Sequence, residues 1–180
     1  MTALGDALDY FKHRLLHTVP VLWRLHALHH GITQLHVFKA VRLHFTDLLM
    51  RFLIVYTPLV ALGAPARVIF WYTAFISVFG LIGHANVDVR VPSVFHRVFM
   101  TPQVHRLHHS IERRLADTNY TNILPVWDIF FGTFSYPGDH SLHRVGVVGD
   151  PIPSDFLSQF LSPFIWSRLV EQANQAQPGT

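Results

Sequence analysis

The sequence contains no cysteine. That excludes a disulfide framework and any thiolate-held metal, so a metal bound here takes nitrogen or oxygen ligands. Charge is scarce as well. Only 14% of the 180 residues are Asp, Glu, Lys or Arg, against about 25% in ordinary soluble domains. With half of the residues hydrophobic, the deficit predicts a membrane protein or a very apolar core. Glutamate is nearly missing: Glu112 and Glu171 are the whole supply. This argues against soluble four-helix di-iron proteins, which use several Glu and Glu-x-x-His pairs. The basic residues form no long run, so a net charge of +3 gives no sign of a nucleic-acid partner. No signal peptide is expected, because the first residues hold neither an unbroken apolar core nor a small-residue cleavage site. There is no G-x-S-x-G elbow, no Gly-rich phosphate loop and no H-E-x-x-H.

Histidine is what the sequence has instead, fourteen times. The pattern H-x-x-H-H occurs at His26, His29 and His30 and again at His105, His108 and His109. A shorter box, H-x-x-x-H, stands at His13 and His17. At this histidine content, chance yields H-x-x-H-H in only about one such chain in a dozen. On a helix, residues i, i+3 and i+4 share a face, so each box is expected to aim its imidazoles at one point. Neutral imidazole is the commonest protein ligand for metals. Eight such side chains are too many for one ion and fit two. His84 is a ninth expected ligand, since an ionisable residue at the end of an apolar run is functional by default. His36, His44, His96, His140 and His143 lack box spacing. Of these, His44 is the one expected near the metals, and the others are expected at the surface. Ligating imidazoles donate their second N–H to a carboxylate or carbonyl. Asp9, one turn before His13, is the first expected acceptor, with Asp88 and Asp128 behind it.

The boxes are separated by "LLMRFLIVYTPLVALGAPARVIFWYTAFISVFGLIG", residues 48–83. Two apolar runs flank a turn at 63–67. Each falls slightly short of the ~20 residues that a spanning helix wants, and flanking residues can complete it. A helix over 3–18, ended by Pro20, and a second over 21–30, stopped by Gly31, precede them. The sequence therefore predicts an all-α integral membrane protein with one transmembrane hairpin, about residues 46–83, and a histidine-rich helical cap. A hairpin returns the chain to its starting side, so the boxes before and after it can meet. Among the Lys and Arg residues only Arg67 lies at the hairpin tip, which places the cap on the cytoplasmic side. Residues 1–155 read as one domain. Residues 155–170 suit an interfacial helix, and the tail from 171 is expected to be disordered.

From the residues alone, such an all-nitrogen, two-metal site supports either O2-dependent oxidation of a lipid or zinc-assisted hydrolysis. A metal-binding protein without activity is a third reading. The order of the motifs resembles that of the fatty acid hydroxylase / sterol desaturase superfamily. "DYFKHRLLHTVPVLWRLHALHHG", "GHANV", "TPQVHRLHHS" and "TNYTNILPVWDIFFGTF" carry the likeness, across residues 6–136. The resemblance implies a membrane-bound, non-haem di-iron oxidoreductase that uses O2 to hydroxylate or desaturate a lipid C–H bond. It implies His13, His17, His26, His29, His30, His84, His105, His108 and His109 as ligands of two iron ions, with zinc as an alternative occupant. Asp9, Asp88, Asp128 and His44 would support them. Electrons would come from a separate donor of cytochrome b5 or ferredoxin type, in a bacterial inner membrane or the endoplasmic reticulum. Members of that superfamily usually have membrane spans before the first box. Here only eight residues precede Asp9, so a fragment, a late start or a minimal member is expected.

Overall fold

The structure, a computed structural model, describes residues 1–89, 91–136, 138 and 144–176. It is helical throughout. Among the described residues the only extended pairing is an isolated bridge between Ser110 and Val145.

Helix α1 (Thr2–Thr18) ends where Pro20 begins α2 (Pro20–His30). A residue before proline is pushed out of the helical region, and Val19 accordingly sits at φ −99°, ψ 114°. Pro20, at the first helical position, gives up an N–H that would have had no partner anyway. The elbow folds α2 back on α1, so that the imidazoles of His13 and His26 meet, as do those of His17 and His30. Gly31 ends α2 for reasons of space: a Cβ there would stand 2.2 Å from Ile152 Cγ1.

After a 3₁₀ turn at Val37–Val41, the first apolar run forms α3 (Phe45–Arg51), a π-helical stretch (Phe52–Tyr56) and α4 (Thr57–Ala61). Pro58 explains the wide stretch. Its ring has no N–H and would clash with the carbonyl four residues back, and opening the helix relieves the conflict. The Thr57 hydroxyl bonds the Phe52 carbonyl across the wide turn. The second run is α5 (Ala66–Gly83). Its 18 residues have mean hydropathy 1.6 and are only 17% buried. At 1.5 Å per residue it is ~27 Å long, close to the hydrocarbon thickness of a bilayer.

The two arms are thus not the equal pair that the sequence suggests. Among the described residues α5 alone is long and apolar enough to cross a membrane. The first arm is shorter, and it sends Asp47 and Arg51 inward to the cap. The arms meet the cap through Val55, Leu59, Tyr72, Ile76 and Ile123. The Tyr72 hydroxyl donates to the Gly5 carbonyl. Phe52, Leu53, Val60, Phe70, Trp71, Phe75 and Val78 point outward and are exposed.

Beyond α5 come α6 (Phe95–Val98), α7 (Pro102–His108), α8 (Arg113–Ala116) and α9 (Val126–Phe130). Thr101 caps α7 by accepting from the Val104 amide. Two helices close the chain, α10 (Phe156–Leu161) and α11 (Trp166–Ala176). Helix α11 runs six residues into the segment expected to be disordered. Trp166, Leu169, Val170 and Ala173 line one side of it at helical spacing, which explains the extra length.

Candidate metal centre

Nine histidines gather in the cap, each at most 6% exposed. Helix α1 supplies His13 and His17. Helix α2 supplies His26, His29 and His30. His84 caps the end of α5, and α7 with its cap supplies His105, His108 and His109. They form two groups. His13, His17, His26, His30 and His108 make the first, and His29, His84, His105 and His109 the second. Within each group the facing nitrogens all lie within 4.8 Å of one another.

The boxes do not each serve one point, as the spacing suggests. In both H-x-x-H-H boxes the first and last histidines, one turn apart, join one group, and the middle one joins the other. His26 and His30 go to the first group and His29 to the second. His105 and His109 go to the second and His108 to the first. At 100° per residue the i+3 side chain diverges from its i+4 neighbour by about 100°, enough to reach a separate centre.

The nitrogens that face inward are Nε2. In the first group His13 stands 3.0 Å from His26 and 3.1 Å from His108, and His17 stands 3.1 Å from His30. In the second, His84 is 3.2 Å from both His29 and His105, and His109 is 3.1 Å from His105. What lies behind the rings fixes their protonation. His13 Nδ1 donates to the Tyr120 carbonyl at 2.5 Å, and His108 Nδ1 to the Thr118 carbonyl at 2.8 Å. His26 Nδ1 donates to Asp47 at 2.5 Å, and His17 Nδ1 faces Asp117 at 3.3 Å. His84 Nδ1 donates to the Gly80 carbonyl at 2.8 Å. A carbonyl can only accept, so the proton of each neutral ring sits on Nδ1 and its Nε2 carries a lone pair. The lone pairs of His13 and His108 then face each other at 3.1 Å, with His26 Nε2 3.0 Å from His13. They repel unless a cation stands among them.

The residues present therefore fit a pair of metal ions. Two nitrogens ~2.1 Å from one ion stand ~3.0 Å apart at a right angle and ~3.4 Å apart at the tetrahedral angle. The shortest separations, 3.0–3.2 Å, lie in the range of nitrogens that share one ion. Removal from water holds the His13, His17, His29, His30, His105 and His109 rings well below the ordinary histidine range, and each neighbouring imidazole adds to the effect. The same burial pushes His84 down to about 4 and His108 to about 3, partly offset by their bonds to backbone carbonyls. All these rings are neutral at pH 7 and free to ligate.

The supporting residues differ from expectation. Asp9 does not touch His13; it pairs with Arg51 at 3.1 Å and Lys12 at 3.4 Å. Asp128 acts two links back. It accepts from the amides of Tyr120 and Thr121 and so fixes the loop whose carbonyls back His13 and His108. Asn119, at φ 56°, ties that loop to Ser135 in both directions. Asp88 bonds Gln103 at 3.1 Å and is not brought to the histidine groups. Nor is His44, which caps α3 and donates to the Phe160 carbonyl at 2.9 Å. His96, expected at the surface, is 6% exposed and pairs with Thr101 at 2.7 Å, securing α6 to the cap of α7. His36 is exposed as expected. His140 and His143 lie outside the described residues.

Sequence reasoning missed Asp47 and Asp117. Asp47 is the more informative miss. Its second oxygen accepts from the buried Lys12 at 3.0 Å, so the carboxylate is fixed from both sides. An acid within an apolar run is costly and marks function by default, and "FTDLLMRFL" carried that signal. Asp117 stands in a polar stretch and had none.

A cavity of about 240 Å³ opens between the 37–41 turn, α3 and α5. It touches His13 and His26 of the first group and His29 and His84 of the second. Val41, Leu43, Leu48, Ile76 and Leu81 form its apolar wall.

Residues 1–133 match the family model described as "Fatty acid hydroxylase". The chain is 40% identical over 155 residues to an ornithine lipid hydroxylase, OlsE, of Rhizobium tropici, covering 86% of this chain and 46% of that one. It is 30% identical to an alkylglycerol monooxygenase of Danio rerio (90% of this chain, 36% of that one) and 31% identical to the one of Homo sapiens (69% and 27%). The chain thus spans about half, or less, of the length of these relatives. No solved structure matches it significantly.

Proposed function

The chain belongs to the fatty acid hydroxylase family, and on that premise we propose that it oxidises a lipid C–H bond with O2 at two metal ions held by the nine histidines. The observation that carries the reading is the inward convergence of nine buried Nε2 atoms in two groups, with lone pairs facing at 3.0–3.2 Å. Iron is the proposed metal. Five histidines in one group suit more than four-coordination, and imidazole is a fitting ligand for iron. When bound, the pair would supply the redox chemistry that activates O2, which no side chain of this chain supplies.

The other roles fall to the protein. Tyr120, Thr118, Gly80, Asp47 and Asp117 hold the imidazoles in the tautomer that presents Nε2. The apolar wall of the cavity would receive a lipid segment and exclude water beside both groups. We read α3 to α5, about residues 46–83, as a membrane hairpin within one domain of residues 1–155. The exposed apolar side chains of the arms support this. The basic residues at its open end support a cytoplasmic cap. The apolar residues of α10, Phe156, Leu157 and Phe160, suit an interfacial position.

Hydroxylation consumes one O2, two electrons and two protons per alcohol formed, with one water as by-product. We propose that a separate one-electron carrier, of cytochrome b5 or ferredoxin type, delivers the electrons. The relatives named as a lipid hydroxylase and a monooxygenase favour hydroxylation over desaturation, with a polar membrane lipid as substrate. The test is metal content and lipid product together. Protein purified in detergent should hold about two irons per chain, lost in the His108→Ala, His109→Ala double variant. Lipids of expressing cells should gain a species one oxygen heavier, and only under O2. Two zinc ions that iron cannot replace would move the reading to hydrolysis. Absence of metal would end it.

A further inference from the structure

We propose that the two histidine groups are unequal metal sites: the five-histidine group binds its ion first and tightly, and the four-histidine group holds its ion loosely. The inference rests on the two-metal reading above and deepens it.

The groups differ first in number, five nitrogens against four. They differ more in what stands behind the rings. In the first group four of five Nδ1 atoms have partners, and two of these are carboxylates, Asp47 and Asp117. In the second, among the described residues, only His84 has one, a backbone carbonyl. His29, His105 and His109 each bury an Nδ1 with no hydrogen-bond partner among the described residues. In the first group His30 alone does so. A carboxylate behind an imidazole raises its basicity and fixes its orientation, and removing such a partner typically costs 10–100-fold in metal affinity. A dication among five imidazoles also has two carboxylates one ring away, Asp47 and Asp117, each shared with a cation, Lys12 and Arg113. Among the described residues no carboxylate bonds a ring of the second group, although Asp47 acts on His29 from a distance. With fewer protein ligands, the second site also leaves more coordination positions for a ligand arriving from the cavity at His29 and His84.

Repulsion between two dications would split even identical sites into a tight and a loose step, so variants must assign the steps. The experiment is an anaerobic titration of detergent-purified, metal-stripped full-length protein with Co²⁺ alone, against a competing chelator. Wild type should take two equivalents, the first at least tenfold tighter. Asp47→Asn should weaken the first step 10- to 100-fold and the second much less, since Asp47 reaches that group only through its charge on His29. His84→Ala should abolish the second step and keep the first. That variant lies behind a different helix end, so it decides the matter even if Asp47→Asn does not fold. Loss of the tight step in His84→Ala would overturn the inference, and so would equal weakening of both steps in Asp47→Asn. Either result with two equivalents still bound by wild type leaves the two-metal reading standing. Fewer than two equivalents in wild type would count against that reading itself.

Discussion

His108 Nε2 lies 3.1 Å from His13 Nε2, although His108 belongs to the box of His105 and His109, whose nitrogens serve the other group. His29 makes the reciprocal move, leaving His26 and His30 to stand 3.2 Å from His84. The repeated H-x-x-H-H thus acts as an exchange. Each box contributes a pair to one centre and a single ligand to the other, which ties the two centres to the same two helices. Because the proposed oxidation needs both ions, losing any one of the nine should disable it. Substituting each by alanine should lower lipid oxidation by at least about 100-fold, as removal of a group acting within a catalytic unit does. His36→Ala, at an exposed position, should stay within about twofold. Activity in membranes, normalised to protein, is the measurement. A box histidine whose loss is harmless would show that it is not a ligand.

The Asp9–Lys12–Asp47 line is the second place where the structure makes a claim. Lys12 is 2% exposed and bridges Asp9 at 3.4 Å and Asp47 at 3.0 Å. Arg51 neutralises Asp9 from the other side. Breaking a buried pair by removing one partner leaves an uncompensated charge and costs about 3–5 kcal/mol. Lys12→Met should lower the thermal midpoint in detergent by several degrees or more, and should loosen His26 through Asp47. Arg67→Met, at the turn between the arms, should leave the midpoint in place. Equal midpoints for the two variants would mean that the buried line is not needed for the fold.

Much of this was legible. Pro20 and Gly31 marked the ends of α1 and α2, the box spacing named eight of the inward-facing histidines, and the end of the apolar run named His84. What could not be read was what stands behind them. Three of the five partnered Nδ1 atoms use backbone carbonyls, of Tyr120, Thr118 and Gly80, and every residue type has one. The split of each box between two groups was also hidden, because spacing gives the angle between side chains but not which neighbour each one meets. Asp9 misled for a related reason. It lies one turn from His13, yet the stronger charges of Arg51 and Lys12 claim it. The first arm differs from the second in the π-helical stretch before Pro58 and in Asp47 and Arg51, which pair with Lys12 and Asp9 of α1.

Two glycines near the end of α5 should behave oppositely. A Cβ at Gly83 would meet His105 Cγ at 3.1 Å and its neighbours at 3.3 Å, so Gly83→Ala must push the His105 ring. A Cβ at Gly80 would meet nothing within 4 Å. Alanine there should add about 0.5–1 kcal/mol of stability by restraining the unfolded chain. Gly83→Ala should reduce bound metal, with its loss in the four-histidine group. Metal analysis and melting of the two variants side by side give the check. A Gly83→Ala protein with full metal content would show that His105 has room to move.

The metal-free protein should be acid-sensitive well above the carboxylate range. In the folded chain His84 titrates at about 4 and His108 at about 3, because burial disfavours their charged forms. In the unfolded chain both titrate near 6.5. Between those values the unfolded state binds more protons than the folded one, so stability falls as pH falls. The loss begins as pH drops through about 6.5. It continues until the folded-state values are reached, with a slope of up to ~1.4 kcal/mol per pH unit for each histidine. His13, His17, His29, His30, His105 and His109 shift in the same direction and steepen the loss. Bound metal must compete with these protons, so loading should shift the acid transition downward. Thermal melts of the metal-free protein at pH 7.5, 6.5 and 5.5, repeated after metal loading, measure both effects. Midpoints that do not fall between pH 6.5 and 5.5 without metal would mean that these eight rings are not buried as neutral imidazoles.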